Sequence, residues 1–79
     1  MINIEVEEKK IKNLAERDLG KLFLIKNPIV PENKSLIEYG YIRKFNHSLE
    51  DNINSNVYFA DRPNSYRFNK RRKCYLVET

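Results

Sequence analysis

Cys74 and His47 are the only side chains of this 79-residue sequence that resemble a nucleophile and its base. They match no catalytic signature, and no third group that would orient the histidine can be chosen from the sequence. Cations beside Cys74 could lower the pKa of its thiol. The residue also begins an apolar stretch, however, where a structural thiol is ordinary. The sequence therefore predicts a protein that is not an enzyme.

The sequence also contains few residues that could form a metal or cofactor site. A single cysteine excludes an internal disulfide and a thiolate zinc site. Because the chain also has a single histidine, few combinations of side chains that could bind a metal ion remain. Gly20 and Gly40 are the only glycines, so the chain has no glycine-rich loop that would hold phosphates. We expect no cofactor, no metal and a stoichiometric mode of action.

Positive charge is concentrated in the second half of the chain, whose net charge is +4 overall. Residues 1–38 hold seven basic and seven acidic side chains, whereas residues 39–79 hold eight basic and four acidic ones. Lysine and arginine neutralise phosphates, while aromatic rings stack on unpaired bases. Both residue types alternate near the C-terminus, and no acid interrupts them between positions 62 and 73. The candidate residues for binding nucleic acid or a partner are Arg62, Arg67, Lys70, Arg71, Arg72, Lys73, Tyr66 and Tyr75.

The same residues have two other interpretations. Residues 70–73 could form a solvated hairpin turn that keeps an edge strand soluble, with the neighbouring aromatic rings in the core. They could instead contact an acidic protein surface, because arginine binds carboxylates as well as phosphates. The sequence leaves open whether the tyrosines are core residues or a binding surface.

Hydrophobic periodicity predicts one helix followed by short strands. Ile11, Leu14 and Ala15 recur at helical spacing, acids stand at the start of this segment, and Gly20 suits a left-handed helix end; we expect a helix over residues 7–18. Residues 2–6 alternate as a strand would, although the helix could begin within them.

Four or five strands are expected after Gly20. Apolar runs and alternating residues predict strands near residues 22–25, 37–44, 57–60, 66–68 and 74–77, and Gly40 suggests a bulge. Loops are expected over 27–35, where two prolines stand, and over 47–56. The fold class predicted is α+β: an N-terminal helix packed on a small curved antiparallel sheet, or an SH3-like partly open barrel of four to five strands.

The chain as a whole is expected to form one domain, residues 1–79, in the cytoplasm of the producing or infected cell. It contains no apolar run of the roughly 20 residues that a membrane span needs, and we find no secretory signal. A homodimer is compatible with a thin core and exposed edge strands. Abundant asparagine, lysine and isoleucine suggest an AT-rich genome, such as that of a low-GC bacterium or its phage.

Four short segments resemble those of small SH3-like barrels, in particular Tudor and KOW-type modules. The segments are Gly20–Phe23, Tyr39–Ile42, Val57–Asp61 and Tyr75–Glu78, so the resemblance covers residues 20–78. It implies a barrel that binds nucleic acid, RNA polymerase or modified peptides, and it does not identify the target.

Three functions follow from these observations. The first is a non-enzymatic basic module that engages nucleic acid, or an acidic surface of a larger nucleic-acid-processing protein, through residues 62–75. The second is a phage-encoded inhibitor that blocks a host nucleic-acid enzyme by protein–protein contact. The third is a ribonuclease toxin of the RelE type, since those toxins have a helix-then-sheet order and the run from Tyr66 to Tyr75 is loosely similar to their final strands.

Overall fold

The fold consists of two small antiparallel sheets. The computed structural model describes residues 5–29 and 40–78. One sheet has the strand order β1-β6-β2 and the other has the order β3-β4-β5. The strands are β1 (Val6–Lys10), β2 (Leu22–Leu24), β3 (Ile42–Asn46), β4 (Asn54–Phe59), β5 (Ser65–Asn69) and β6 (Lys73–Val77).

The predicted N-terminal helix is wrong, and with it the α+β fold class. In its place the chain forms β1 and two 3-10 turns, Ile11–Asn13 and Glu16–Asp18, so the described residues are all-β. Ile11 and Leu14 are buried, as their spacing suggested, but they lie at the start and directly after the end of the first 3-10 turn. A helix of this length with so narrow an apolar stripe is marginal in water. Pairing with β6 instead provides hydrogen-bond partners for the backbone amides and carbonyls of β1.

The central strand of the first sheet is β6. It pairs with β1 from Val6 opposite Val77 to Lys10 opposite Lys73, and with β2 on its other side. Cys74 and Leu76 alternate inward and are fully buried. Side chains alternate between the faces of a strand, so Lys73, Tyr75 and Val77 lie on the outer face.

The central strand of the second sheet is β4, whose inward residues Ser55, Val57 and Phe59 are all buried. Its pairing with β3 shifts between Ile42 and Lys44, which identifies a β-bulge. The sequence placed a bulge at Gly40, three positions earlier. Gly20 adopts the left-handed conformation expected of it, with a φ of 88°, although it follows a 3-10 turn and not a helix.

The two sheets meet at β2. A bridge pairs Leu22 with Tyr41, and the Phe23 amide donates to the Gly40 carbonyl at 2.9 Å. The Phe23 ring lies 5.5 Å from Phe59 and 5.3 Å from Phe68, centre to centre, and so contacts residues of the second sheet. Residues of both sheets form one core, which comprises Ile11, Leu14, Phe23, Ile42, Val57, Phe59, Phe68, Cys74 and Leu76.

The strands predicted near residues 22–25, 57–60, 66–68 and 74–77 are confirmed to within a few residues as β2, β4, β5 and β6. The strand expected over 37–44 begins only at Ile42 among the described residues and continues to Asn46. Residues 2–4 and 37–39, and most of the proline-framed loop, lie outside the described residues. The loop expected over 47–56 ends earlier, because β4 begins at Asn54.

Candidate nucleic-acid interface

Cations from three segments meet where β1 ends and β6 begins. Lys10 lies directly opposite Lys73 in the sheet. The amide of Ile11 donates to the Arg72 carbonyl and the amide of Lys12 to the Lys70 carbonyl, both at 2.9 Å. The pairing therefore brings N-terminal lysines to the turn between β5 and β6. We call the exposed cations at this edge the basic end: Lys10, Lys12, Arg71, Arg72 and Lys73.

The electrostatics of the basic end are dominated by positive charge. The Lys73 ammonium lies 3.1 Å from the Glu8 carboxylate, and that hydrogen-bonded partner raises the pKa of Lys73. Among residues 5–29 and 40–78, the ion pairs of lysine involve Lys73 here and Lys9 and Lys21 elsewhere. The other four cations of the basic end form none with a described carboxylate.

Lys70 has a structural role within the predicted site. Its ammonium donates to the Ser48 carbonyl at 3.0 Å and to the Asp51 carbonyl at 2.6 Å, while its amide donates to the Ile53 carbonyl. The Asp51 carboxylate accepts hydrogen bonds from the backbone amides of Asn54 and Ile53. These hydrogen bonds lower the pKa of Asp51. Lys70 therefore fixes the loop between β3 and β4.

Lys70→Met is expected to release that loop, because methionine keeps the length of the side chain but donates no hydrogen bond. Hydrogen bonds from a charged group contribute about 1.5–3 kcal/mol, so the free energy of unfolding should fall by a similar amount. Hydrogen exchange across residues 48–54 should accelerate. Arg71→Met is the control, since its guanidinium forms no hydrogen bond within the described part of the chain. Equal exchange in both variants would contradict the role of Lys70.

Arg62 and Tyr66 lie at the other end of β5. Arg62 Nη1 donates to the Tyr66 hydroxyl at 3.0 Å, and the guanidinium lies 5.3 Å from the centre of the Tyr66 ring. Tyr66 also contacts Phe59, with ring centres 5.6 Å apart. A strand of five residues spans about 17 Å, so this pair is separated from the turn at residues 70–72 by roughly that length.

The residues of the predicted site thus do not form one surface. Arg67 is exposed on the outer face of β5, opposite Asn56. Tyr75 is half-buried on the outer face of the other sheet, between Glu8 and Leu24. Arg71, Arg72 and Lys73 remain together, and Lys70 lies beside them. The structure brings together the cations of the turn, and it separates them from Arg62, Tyr66 and Arg67.

Two residues of the basic end escaped the sequence analysis. Lys10 and Lys12 lie in the half of the chain where charges cancel in number, and they were assigned to a helix. Their position beside Lys73 depends on the pairing of strands far apart in sequence. The one local signal was the order of charges in β1, where acids precede lysines.

The pair suggested by the sequence, His47 and Cys74, is not assembled. His47 Nδ1 instead lies 2.7 Å from the Ser55 hydroxyl, and Nε2 lies 3.1 Å from the Leu14 carbonyl. Nε2 must carry a proton to donate to that carbonyl, so in the neutral imidazole Nδ1 accepts a hydrogen bond from the Ser55 hydroxyl. Ser55 is 1% exposed, and its hydroxyl cannot reach a substrate. These two hydrogen bonds of His47 connect the end of β3 to β4 and to the end of the first 3-10 turn.

The Cys74 thiol is expected to be inert in the folded protein. Burial raises its pKa to about 12, and the residue is fully buried, so a negligible fraction is thiolate at pH 8. A disulfide reagent such as dithionitrobenzoate should not react in buffer and should react with one thiol per chain in denaturant. Rapid reaction of the native protein would contradict the burial of Cys74.

The described residues show few features of other kinds of site. Within residues 5–29 and 40–78 no three metal-ligating side chains cluster. No helix in the same residues is long and apolar enough to span a bilayer. Compared with known proteins, the chain matches no family model, no curated protein and no solved structure.

Proposed function

We propose that this protein is a non-enzymatic module that binds nucleic acid, or a nucleic-acid-processing machine, through its basic end. The observation that carries the proposal is the convergence of cations from β1, the first 3-10 turn and the β5–β6 turn. Lys10 and Lys73 are directly opposite each other, and like charges at such positions destabilise a sheet. Departures of this kind are expected at functional sites.

Phosphate is the chemistry that this surface fits. Lysine and arginine that neutralise phosphates release counterions, and binding then weakens steeply as salt rises. Arginine also forms paired hydrogen bonds with phosphate oxygens, which Arg71 and Arg72 can offer because their side chains are exposed. Glu8 is the one acid that contacts the described cations of this end, so the positive field persists.

The test is a titration of labelled DNA and RNA, duplex and single-stranded, at low salt. Binding that is lost over a few-fold increase in salt concentration supports the proposal. Arg71→Gln combined with Arg72→Gln should weaken it, whereas Arg17→Gln combined with Lys26→Gln removes equal charge from other exposed positions. Absence of binding to every DNA and RNA at low salt would refute nucleic acid as the ligand of the basic end.

A second candidate, a stoichiometric inhibitor of a host nucleic-acid enzyme, is favoured by one loop. Leu49 is 94% exposed and Ile53 is 63% exposed, although Lys70 and Asp51 hold their loop in place. Apolar side chains on an ordered loop suit a protein partner, because little conformational entropy is lost on binding. A partner that is retained from host lysate after nuclease treatment, and lost with Leu49→Ser, would support this function over the first.

The helix-then-sheet order that motivated comparison with RelE toxins is absent from the described residues. The resemblance to Tudor and KOW-type modules remains a proposal; a three-strand meander, β3-β4-β5, followed by a last strand that pairs with β2 is compatible with it. The cytoplasmic location remains a proposal, and the free Cys74 supports it because unpaired thiols are usual in a reducing compartment. A homodimer remains a prediction.

A further inference from the structure

The outer face of the β3-β4-β5 sheet carries polar and charged side chains that the basic end does not use. Its members share rows across the strands. Lys44, Tyr58 and Ser65 form one row, and Asn46, Asn56 and Arg67 form the next. Rows on one face of a sheet lie about 7 Å apart along the strands. We call Arg43, Lys44, Asn46, Asn56, Tyr58 and Arg67 the outer platform.

The bulge in β3 explains why two consecutive cations reach this face. Ile42 pairs with Phe59 and Lys44 with Tyr58, so Arg43 is the additional residue. A bulge sets two residues against one and re-aims a side chain. Both charged groups consequently lie 5.4 Å from the centre of the Tyr58 ring. The Nε of Arg43 also donates to the Phe59 carbonyl, at 3.4 Å.

These groups are available to a ligand. Arg43, Lys44 and Arg67 are exposed, and none of them forms an ion pair with a carboxylate of residues 5–29 or 40–78. The side chains of Asn46 and Asn56 form no hydrogen bond with any described residue. A shallow depression between this face and the β3–β4 loop is lined by both asparagines and by Arg67. Glu50 and Asp51 also line this depression and reduce the positive charge there.

We propose that the outer platform binds single-stranded nucleic acid, an inference that rests on the proposed function. Unpaired bases stack on tyrosine rings and on guanidinium planes, and the Arg43–Tyr58 pair supplies both in contact with each other. Lys44 and Arg67 lie where phosphates on either side of a stacked base would be neutralised. The asparagine amides can donate to and accept from base edges. A duplex buries its bases in the stack, so it cannot use Tyr58.

Fluorescence anisotropy with oligothymidylate, oligouridylate and a duplex of equal length tests this inference. Base stacking on an aromatic residue is worth about 1–3 kcal/mol, so Tyr58→Leu should weaken single-strand binding by about 5- to 150-fold. Duplex binding should stay within about twofold of wild type. Tyr58→Phe should keep single-strand affinity, and Tyr41→Leu, which removes a 46% exposed tyrosine outside the platform, should leave both unchanged. The two oligonucleotides show whether the 2′-hydroxyl matters.

A second variant covers the case in which Tyr58→Leu does not fold. Lys44→Gln combined with Arg67→Gln should lower the salt dependence of single-strand binding by about 1.4 in the logarithmic slope, at about 0.7 per phosphate contact. Unchanged single-strand affinity in Tyr58→Leu, or an unchanged slope in the double variant, would overturn the inference while duplex binding leaves the proposed function intact. Wild-type protein that binds neither form would overturn this inference and would also refute nucleic acid as the ligand of the basic end.

Discussion

Asp18→Ala is expected to lower the free energy of unfolding by about 3–5 kcal/mol, the usual cost of removing one partner of a buried ion pair. Asp18 is fully buried, and its carboxylate accepts hydrogen bonds from the Lys9 ammonium at 2.8 Å and the Ala15 amide at 2.9 Å. The Lys21 ammonium lies 3.4 Å away. Without the carboxylate, Lys9 keeps a charge in a side chain only 9% exposed. Urea denaturation measures the loss.

Glu16→Ala is the matched control, because this exposed acid lies two residues from Asp18 in the same 3-10 turn. Surface substitutions of this kind usually change stability by less than about 0.5 kcal/mol. If Asp18→Ala and Glu16→Ala cost the same, the buried pair does not hold the turn against β1.

The pH dependence of stability should report the same carboxylate. Burial alone would raise the pKa of Asp18, but hydrogen bonds from Lys9 and the Ala15 amide outweigh it, and the pKa lies below its ordinary value. The stabilisation is therefore complete above the unfolded pKa of about 3.9 and is lost as pH falls through the lower folded pKa. In Asp18→Asn this part of the acid-induced loss should disappear. If stability falls at low pH in Asp18→Asn as it does in the wild type, the Asp18 carboxylate does not make this contribution.

Phe23→Ala is the second large effect, with an expected cost of about 3–5 kcal/mol. The ring is fully buried and packs on Phe59 and Phe68, so its removal opens a cavity between the sheets. Proteins of ordinary stability have about 5–15 kcal/mol in total, and a small core lies toward the lower value. Circular dichroism in urea should show a protein close to unfolding.

Phe45→Ala is the comparison for Phe23→Ala, because Phe45 is a half-buried ring at the margin of the same core. Its ring packs on His47, with centres 4.9 Å apart. A partly exposed ring loses less burial when truncated, so its cost should be clearly smaller. Equal losses in the two variants would mean that Phe23 does not join the sheets.

Local pattern was sufficient for most strands and failed at the N-terminus. Leu22–Leu24 and Lys73–Val77 are apolar or alternating, and turn residues bound them, so short-range signals located them. Val6–Lys10 contains four charged residues and one valine, which no strand pattern would favour. This segment is a strand because β6 pairs with its backbone. In addition, Lys9 on the inner face of the strand donates a hydrogen bond to the Asp18 carboxylate. Neither partner is close enough in sequence to be recognised.

The basic end was predictable in the sign of its charge but not in the arrangement of its residues. The excess of cations near the C-terminus is evident from counting, and Arg71, Arg72 and Lys73 do lie together. The addition of Lys10 and Lys12 depends on sheet register. The separation of Arg62 from the β5–β6 turn follows from the length of β5. Counting charges along the sequence does not give that length. Arg43 and Lys44 share a face only because of a bulge.

The salt dependence of duplex DNA binding tests the central claim most directly. Lys10→Gln combined with Lys12→Gln removes only the two N-terminal lysines of the basic end. Each phosphate contact contributes about 0.9 to the slope of log affinity against log salt, so this variant should lose about 1.8. Arg17→Gln combined with Lys26→Gln, with equal net charge, should keep a slope close to that of wild type. If both variants give the wild-type slope, or if they lose equal amounts, β1 and the β5–β6 turn do not form one phosphate-binding surface.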